Sequence, residues 1–361
     1  MQLATPEQNE LRAATQKVLA RHGNSEQIRA AAASDTGHDP ALWTQIADLG
    51  WLAITVPESL DGIGQGLTEL AILNEEFGFA LQPSPFGPSG LVSWVLGRYG
   101  ADELQARLLP QLATGGAIAS WGLDHPGGNG VLTLSDNRIT GARRFIPDAQ
   151  AADHLLVDVD SQGSQVLVVV DTHAPGVRVT PQHTMDLTRR YCTVDFENTP
   201  VAAEAVCADP QAAADLLRGA VALQCAESVG VARRLLEMTV DYAGTRRQFD
   251  RQIGSFQAVK HRIADMYIAL EGAVAATEEC TWAVEHRRSD ADVAVHVAKS
   301  WTGRAASQIA SEALQLHGGI GFTWEHDLHL FLRRAKVNEL TIGAPSWHDE
   351  RLFDALAAGN A

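Results

Sequence analysis

Cysteine is scarce in this sequence. Four residues, Cys192, Cys207, Cys225 and Cys280, are spread through a chain of 361. None forms a C-x-x-C pair or sits at metal-ligand spacing, which argues against a zinc ribbon and a dithiol redox motif. They read as buried or free thiols in a reducing compartment. Basic charge is also short: 28 Lys and Arg against 44 Asp and Glu leave a net charge of −16. Such a chain repels nucleic acid and anionic membrane surfaces. No basic run interleaved with aromatics offsets this. No apolar run approaches the roughly 18 residues of a membrane span. The opening "MQLATPEQNELRAATQKVLARHG" lacks the basic and apolar regions of a signal peptide. A cytoplasmic protein with no membrane and no nucleic-acid partner is expected. Internal repeats and low-complexity segments are absent too.

The periodicity divides the chain into three. The first 114 residues read as amphipathic helices. "TPEQNELRAATQKVLARH" opens with Thr5 as N-cap and Pro6 at the first helical position, and Asp39-Pro40 repeats that signal. "GLTELAILNEEFGFAL", "SGLVSWVLGRYG" and "ADELQARLLPQLATG" add three more. From residue 115 to 208 the period falls to two. "NRITGARRFI", "DHLLVDVD", "QVLVVVD", "GVRVTPQ" and "YCTVDFEN" are strand-like runs between Gly, Pro, Asn and Asp. A small β-barrel or sandwich of about 90 residues fits them. From 209 to 361 the helical period returns in four elements, three of them beyond 25 residues. Long helices with short connections predict an antiparallel four-helix bundle. The fold class is therefore α+β, with segments 1–114, 115–208 and 209–361. This order suits an enzyme with a site between domains, but it names no chemistry.

Chemistry enters with "LQLHGGIGFTWEHDL" (314–328). A long helix needs one glycine to end it, and this one meets Gly318, Gly319 and Gly321. The surplus suggests that something approaches the backbone closely. The neighbouring histidines are a weaker signal. His326 and His329 would need a third ligand nearby to hold a metal, so His317, His326 and His329 read as capping, surface or interface residues. No metal site is expected. Trp324 and Trp347 read as packing or interface anchors.

"RRQFDRQIGSFQAVKHRIADM" (246–266) and "LHGGIGFTWEHDLHLFLRRAK" (316–336) together resemble the acyl-CoA dehydrogenase family, and the likeness covers essentially the whole chain. The resemblance implies an N-terminal helical domain, a middle β domain and a C-terminal four-helix bundle, in the order read above. It implies oxidation of an acyl-CoA thioester at its Cα–Cβ bond, with a carboxylate taking the α proton and FAD the β hydride. It further implies that Arg246, Gln248, Phe249, Gln257, Gln315, Gly318 and Gly319 reach the FAD of a neighbouring subunit. A diphosphate wants a cation and bare backbone N–H groups, and Arg246 offers a forked contact. Asp250 departs from the family, which usually has Gly after Phe, and it adds negative charge beside a diphosphate.

The same resemblance exposes what is missing. The family's two positions for the catalytic Glu fall on Ala220 and Ile342, and neither side chain can accept a proton. A thioester α proton needs a general base within hydrogen-bond reach. Glu227, seven residues after Ala220, lies about 10 Å along the helix axis. Glu339, one turn before Ile342, is the better in-chain candidate. The family's Thr-Glu and Ser-Asp are lost from "LDHPGGNG" (123–130), and Pro147 stands where a hydroxyl would face the flavin. Own-site residues look eroded while those for a neighbour's FAD look kept. The sequence thus resembles the short, base-lacking subunit of actinobacterial heterotetrameric (α2β2) acyl-CoA dehydrogenases that act on bulky CoA thioesters such as steroid side chains. A self-sufficient homotetramer with Glu339 as displaced base, and a non-catalytic scaffold, remain as alternatives. An electron-transfer flavoprotein or similar acceptor is the expected redox partner.

Overall fold

The computed structural model describes residues 5–124 and 130–359. The α-helices are α1 (Pro6–His22), α2 (Ser25–Ala33), α3 (Pro40–Asp48), α4 (Leu67–Phe79), α5 (Phe86–Tyr99), α6 (Asp102–Ala113), α7 (Pro210–Thr245), α8 (Gln257–Glu285), α9 (Ala291–His317), α10 (Leu328–Leu340) and α11 (Pro345–Gly359). The strands are β1 (Ala119–Gly122), β2 (Thr133–Ser135), β3 (Arg138–Pro147), β4 (His154–Ser161), β5 (Ser164–Asp171), β6 (Val177–Gln182), β7 (Tyr191–Pro200), β8 (Val206–Cys207), β9 (Arg247–Gln248) and β10 (Arg251–Gln252). No helix among the described residues is long and apolar enough to cross a membrane.

Local signals set several boundaries. Thr5 closes a capping box with Gln8, each side chain meeting the other's backbone N–H, which satisfies two donors that a helix start leaves open. Asp39 caps α3 by accepting from the Ala41 N–H at 2.9 Å. Two helices escaped the sequence reading. In α2 a run of alanines carries no clear stripe, and α11 begins beyond the Gly343 turn.

The chain forms two compact units. One comprises residues 29–70 and 83–220. Its centre is a single mixed sheet, ordered β6-β7-β3-β2-β4-β5-β8, with β1 beside β4. β1 and β2 run parallel to β4, and the other pairs are antiparallel. β4 and β5 pair from His154↔Asp171 to Ser161↔Ser164. Both strands are buried through successive residues, apolar from Val166 to Val170 in β5 and interrupted only by the buried Asp158 between Leu155 and Val159 in β4, the pattern of strands covered on both faces. α5, apolar all round and buried from Phe86 to Leu96, packs on β1. Arg143, buried on β3, pairs with the Asp158 carboxylate at 2.7 Å and donates to the Gly130 carbonyl at 2.9 Å. Asp158 also accepts from the Asp124 N–H at 2.9 Å. Burial raises the Asp158 pKa against the pull of Arg143. These contacts hold the ends of the 123–130 stretch, whose residues 125–129 lie outside the described residues.

The other unit comprises residues 1–28, 71–82 and 221–361. Its core joins Val229, Leu235, Met266, Leu270, Ile309, Ala310, Leu328 and Phe331, so α7, α8, α9 and α10 share one apolar interior. Arg12 and Arg233 both reach the buried Glu76, at 2.6 and 2.5 Å. That pairing ties α1 and α7 to the 71–82 segment.

Candidate functional site

Three features bear on the chemistry, and the first two lie at the ends of α7 and α9. The first follows α7. The Arg246 N–H donates to the Tyr242 carbonyl at 2.8 Å, and the Arg246 carbonyl accepts from the Ile253 N–H at 2.9 Å. Between them, β9 and β10 pair Gln248 with Arg251 across a two-residue turn. Both turn residues are left-handed, Phe249 at φ +51° and Asp250 at φ +63°. That geometry matches strand twist but favours Asn-Gly or Asp-Gly, which explains a glycine after the Phe and makes Asp a tolerated substitute. A bulky residue at positive φ is an outlier, and Phe249 nonetheless stands 87% exposed. The Arg251 guanidinium covers Phe256, 3.9 Å from its ring centre. Gln252, Gly254 and Ser255 continue into a groove of about 790 Å³, whose apolar walls include Val240, Tyr267 and Ile268.

The second feature ends α9. Gly318 adopts φ +63°, ψ −141°, a region essentially reserved for glycine. A Cβ on Gly318 or Gly319 would meet nothing within 4 Å, so both present bare, exposed backbone. Behind them, buried His317 pairs through Nδ1 with the Ala313 carbonyl at 2.8 Å. Its ring stacks on Tyr242 with 4.5 Å between centroids. Burial lowers the His317 pKa. His326 stands edge-on 5.1 Å away, and its Nδ1 accepts from the Leu328 N–H at 3.2 Å at the start of α10. Arg246, Gln248, Gln257 and Gln315 are all exposed.

The third feature concerns the base. Ala220 and Ile342 are both buried, and both are apolar. Glu227 is buried in an ion pair with Arg334 at 2.6 Å and accepts from Asn338 Nδ2 at 3.0 Å. Glu339 accepts from Ser307 Oγ at 2.5 Å and pairs with Lys336 at 3.1 Å. Each carboxylate is thus engaged in holding α10 to a neighbouring helix. Ile342 sits at φ +59°, a strained conformation for a β-branched residue. The Ile342 carbonyl can only accept, so His348 Nε2, at 2.9 Å, carries the proton. His348 Nδ1 then accepts from His296 Nδ1 at 2.9 Å. Lys299, fully buried, donates to the Asn338 and Glu339 carbonyls at the end of α10. Burial pushes its pKa down to about 8. Pro147, in register with Tyr191, is buried, and its carbonyl accepts from Ser120 Oγ.

Sequence reasoning missed Tyr242, Lys299, Arg334 and His348. Only Arg334 and Asn338, four apart within an apolar helix stripe, carried a readable signal of a buried polar pair.

Comparison with known proteins decides the family. Residues 5–116 match "Acyl-CoA dehydrogenase, N-terminal domain" and residues 212–352 match "Acyl-CoA dehydrogenase, C-terminal domain". The acyl-CoA dehydrogenase IpdE2 of Mycobacterium tuberculosis is 34% identical over 345 residues, 95% of each chain. The chain belongs to the acyl-CoA dehydrogenase family. Among solved structures, the ChsE4-ChsE5 complex from Mycobacterium tuberculosis superposes with a TM-score of 0.93 at 29% identity, covering 99% of each chain. A complex described as the Tcur3481-Tcur3483 steroid ACAD superposes at 0.92 with 28% identity and 98% of each chain.

Acyl-CoA dehydrogenases are FAD-dependent oxidoreductases acting on CH–CH bonds. The exposed residues of the first two features fit that group. A guanidinium, three side-chain amides and a glycine-only backbone corner with clear space in front of it match a diphosphate and its ribose.

Proposed function

We propose that this chain is the subunit that completes a homologous partner's FAD site within a heteromeric acyl-CoA dehydrogenase. The supporting observation is an asymmetry. The positions for a base carry Ala220 and Ile342, and the nearby Glu227 and Glu339 are both engaged. Meanwhile Arg246, Gln248, Phe249, Gln257, Gln315, Gly318 and Gly319 stay exposed and point to an external ligand. The heteromeric complexes among its structural relatives support the same reading.

FAD, when bound, accepts the β hydride of the thioester. The roles left to this chain are binding and orientation. Arg246 neutralises diphosphate charge. Gly318 and Gly319 offer N–H groups without a Cβ in the way. Gln248, Gln257 and Gln315 supply amide contacts, and Phe249 an apolar face. The α proton is taken by a base on the partner. The substrate class is a bulky acyl-CoA of the steroid side-chain type, supported by the relative described as a steroid ACAD, and an electron-transfer flavoprotein or similar acceptor removes the electrons.

The test is Arg246→Ala in the complex purified with its homologous subunit. The flavin dissociation constant should rise about tenfold or more, the loss of one charge-assisted phosphate contact, with subunit composition unchanged. Flavin held as tightly as in the wild type overturns the assignment.

A further inference from the structure

The face of α7 that carries Ala220 also carries an amide. Ala220, Gln224 and Ser228 follow one another every four residues, so they share one side of the helix. α10 reaches that side through Asn338, whose Nδ2 donates to Ser228 Oγ at 3.3 Å and to Glu227 Oε2 at 3.0 Å. Asn338 in turn precedes Ile342 by four residues. Each of the two positions where the family carries its base therefore has an amide side chain four residues away. Ser228 stands between these amides, and its hydroxyl donates to the Gln224 backbone carbonyl at 2.8 Å.

The two amides share an unmet need. Gln224 Oε1 and Asn338 Oδ1 are both sealed from solvent, and neither meets a donor among the described residues. The orientation of Asn338 follows from its neighbour. The Glu227 carboxylate, held by Arg334 at 2.6 Å, can only accept. It therefore takes the Asn338 N–H and turns the amide oxygen away. The Ser228 proton is already committed to backbone, so it serves neither oxygen. Buried acceptors without donors are costly and rare. Two of them beside one hydroxyl call for a molecule that donates.

Position narrows the class of that molecule. A base must come within hydrogen-bond reach of the α proton it removes, so an acyl-CoA dehydrogenase brings its acyl group past the residues at Ala220 and Ile342. A hydrocarbon acyl chain has no donor for the two oxygens, and a hydroxylated one has. We propose that Gln224 and Asn338 form a holding site for the hydroxyl of a hydroxylated acyl-CoA, whose proton the two oxygens share. Ala220 and Ile342 give this site no base, so the ligand is bound here and not oxidised. The inference rests on the reading above that the base lies on the partner.

The experiment is isothermal titration calorimetry of the full chain, purified without its partner, with octanoyl-CoA and with its 3-, 5- and 7-hydroxy derivatives. At least one hydroxylated probe should bind about fivefold or more tighter than octanoyl-CoA. Gln224→Met keeps the side-chain volume without the acceptor. It should erase most of that gain and leave the octanoyl-CoA constant within about twofold. Gln224→Glu, which keeps an acceptor, should retain the gain, and circular dichroism of each variant reports folding separately. Equal constants for octanoyl-CoA and all three hydroxylated probes, or no binding of any, overturn the site and leave the two oxygens to ordered water. A gain that survives Gln224→Met overturns the residues named. Oxidation of octanoyl-CoA by the chain alone overturns the two-subunit reading instead.

Discussion

The ring of Tyr242 lies on the ring of His317, 4.5 Å between centroids and 18° from parallel. Tyr242 comes four residues before Arg246, and His317 immediately precedes Gly318. This one contact links the ends of α7 and α9 and so joins two motifs far apart in sequence. Tyr242→Ala should cost the isolated chain about 1–2 kcal/mol in urea unfolding and weaken flavin retention in the complex. Tyr242→Phe, which keeps the stack, should preserve both.

The two glycines of the corner should separate folding from binding. Gly318 needs its left-handed backbone, so Gly318→Ala should destabilise the chain by about 1–3 kcal/mol. Gly319 lacks that constraint, and a Cβ there meets nothing in this chain. Gly319→Ala should leave unfolding within about 0.5 kcal/mol while weakening flavin binding, because the new methyl enters the space in front of the backbone. Flavin titration and urea unfolding of both variants check this pair.

Acid should loosen the turn after α10. Burial, with Lys299 and His296 nearby, pushes the His348 pKa down to about 4 from an ordinary 6.5. The unfolded chain therefore takes up this proton first as pH falls. The folded state loses stability between pH 6.5 and about 4, by about 3 kcal/mol, and is unaffected by this group above 6.5. His348→Gln, which keeps a donor for the Ile342 carbonyl but does not titrate, should flatten that part of the stability profile in denaturant melts at several pH values.

The two engaged glutamates should behave differently from a catalytic base. Glu227→Gln leaves the buried Arg334 charge uncompensated and should cost about 3–5 kcal/mol. Glu339→Gln keeps an acceptor for Ser307 and loses only a half-exposed pairing with Lys336. Steady-state turnover of the complex should then stay within about twofold of wild type. Abolished turnover with flavin still bound would reinstate Glu339 as the base.

Much of the architecture was legible from local chemistry. Thr5, Pro6, Asp39 and Pro40 announced helix starts, and the change of period near residue 115 announced the sheet. The β segment was read as a small barrel or sandwich, and its strands do form one β unit, a mixed sheet, whose strand order the sequence did not reveal. Period alone gives strands and not their partners, and β1 and β2 both run parallel to β4 across long connections. The exposed residues of the candidate site were named from spacing and likeness. Their supports were not, because Tyr242 with His317 and Glu227 with Arg334 are contacts between distant segments. Glu227 shows the difference plainly: spacing only put it about 10 Å from the family's base position, too far to serve there, and Arg334, 107 residues away, reveals what it does engage. The positive φ at Phe249, Asp250 and Ile342 was equally hidden, since none of the three is glycine.

The most direct measurement is the flavin content and acyl-CoA turnover of the chain purified alone and purified with its homologous subunit. The chain alone should hold no flavin and turn over no substrate, and the complex should be yellow, active and carry fewer flavins than polypeptides. A lone chain that assembles as a fully flavinylated, active homotetramer would contradict the account.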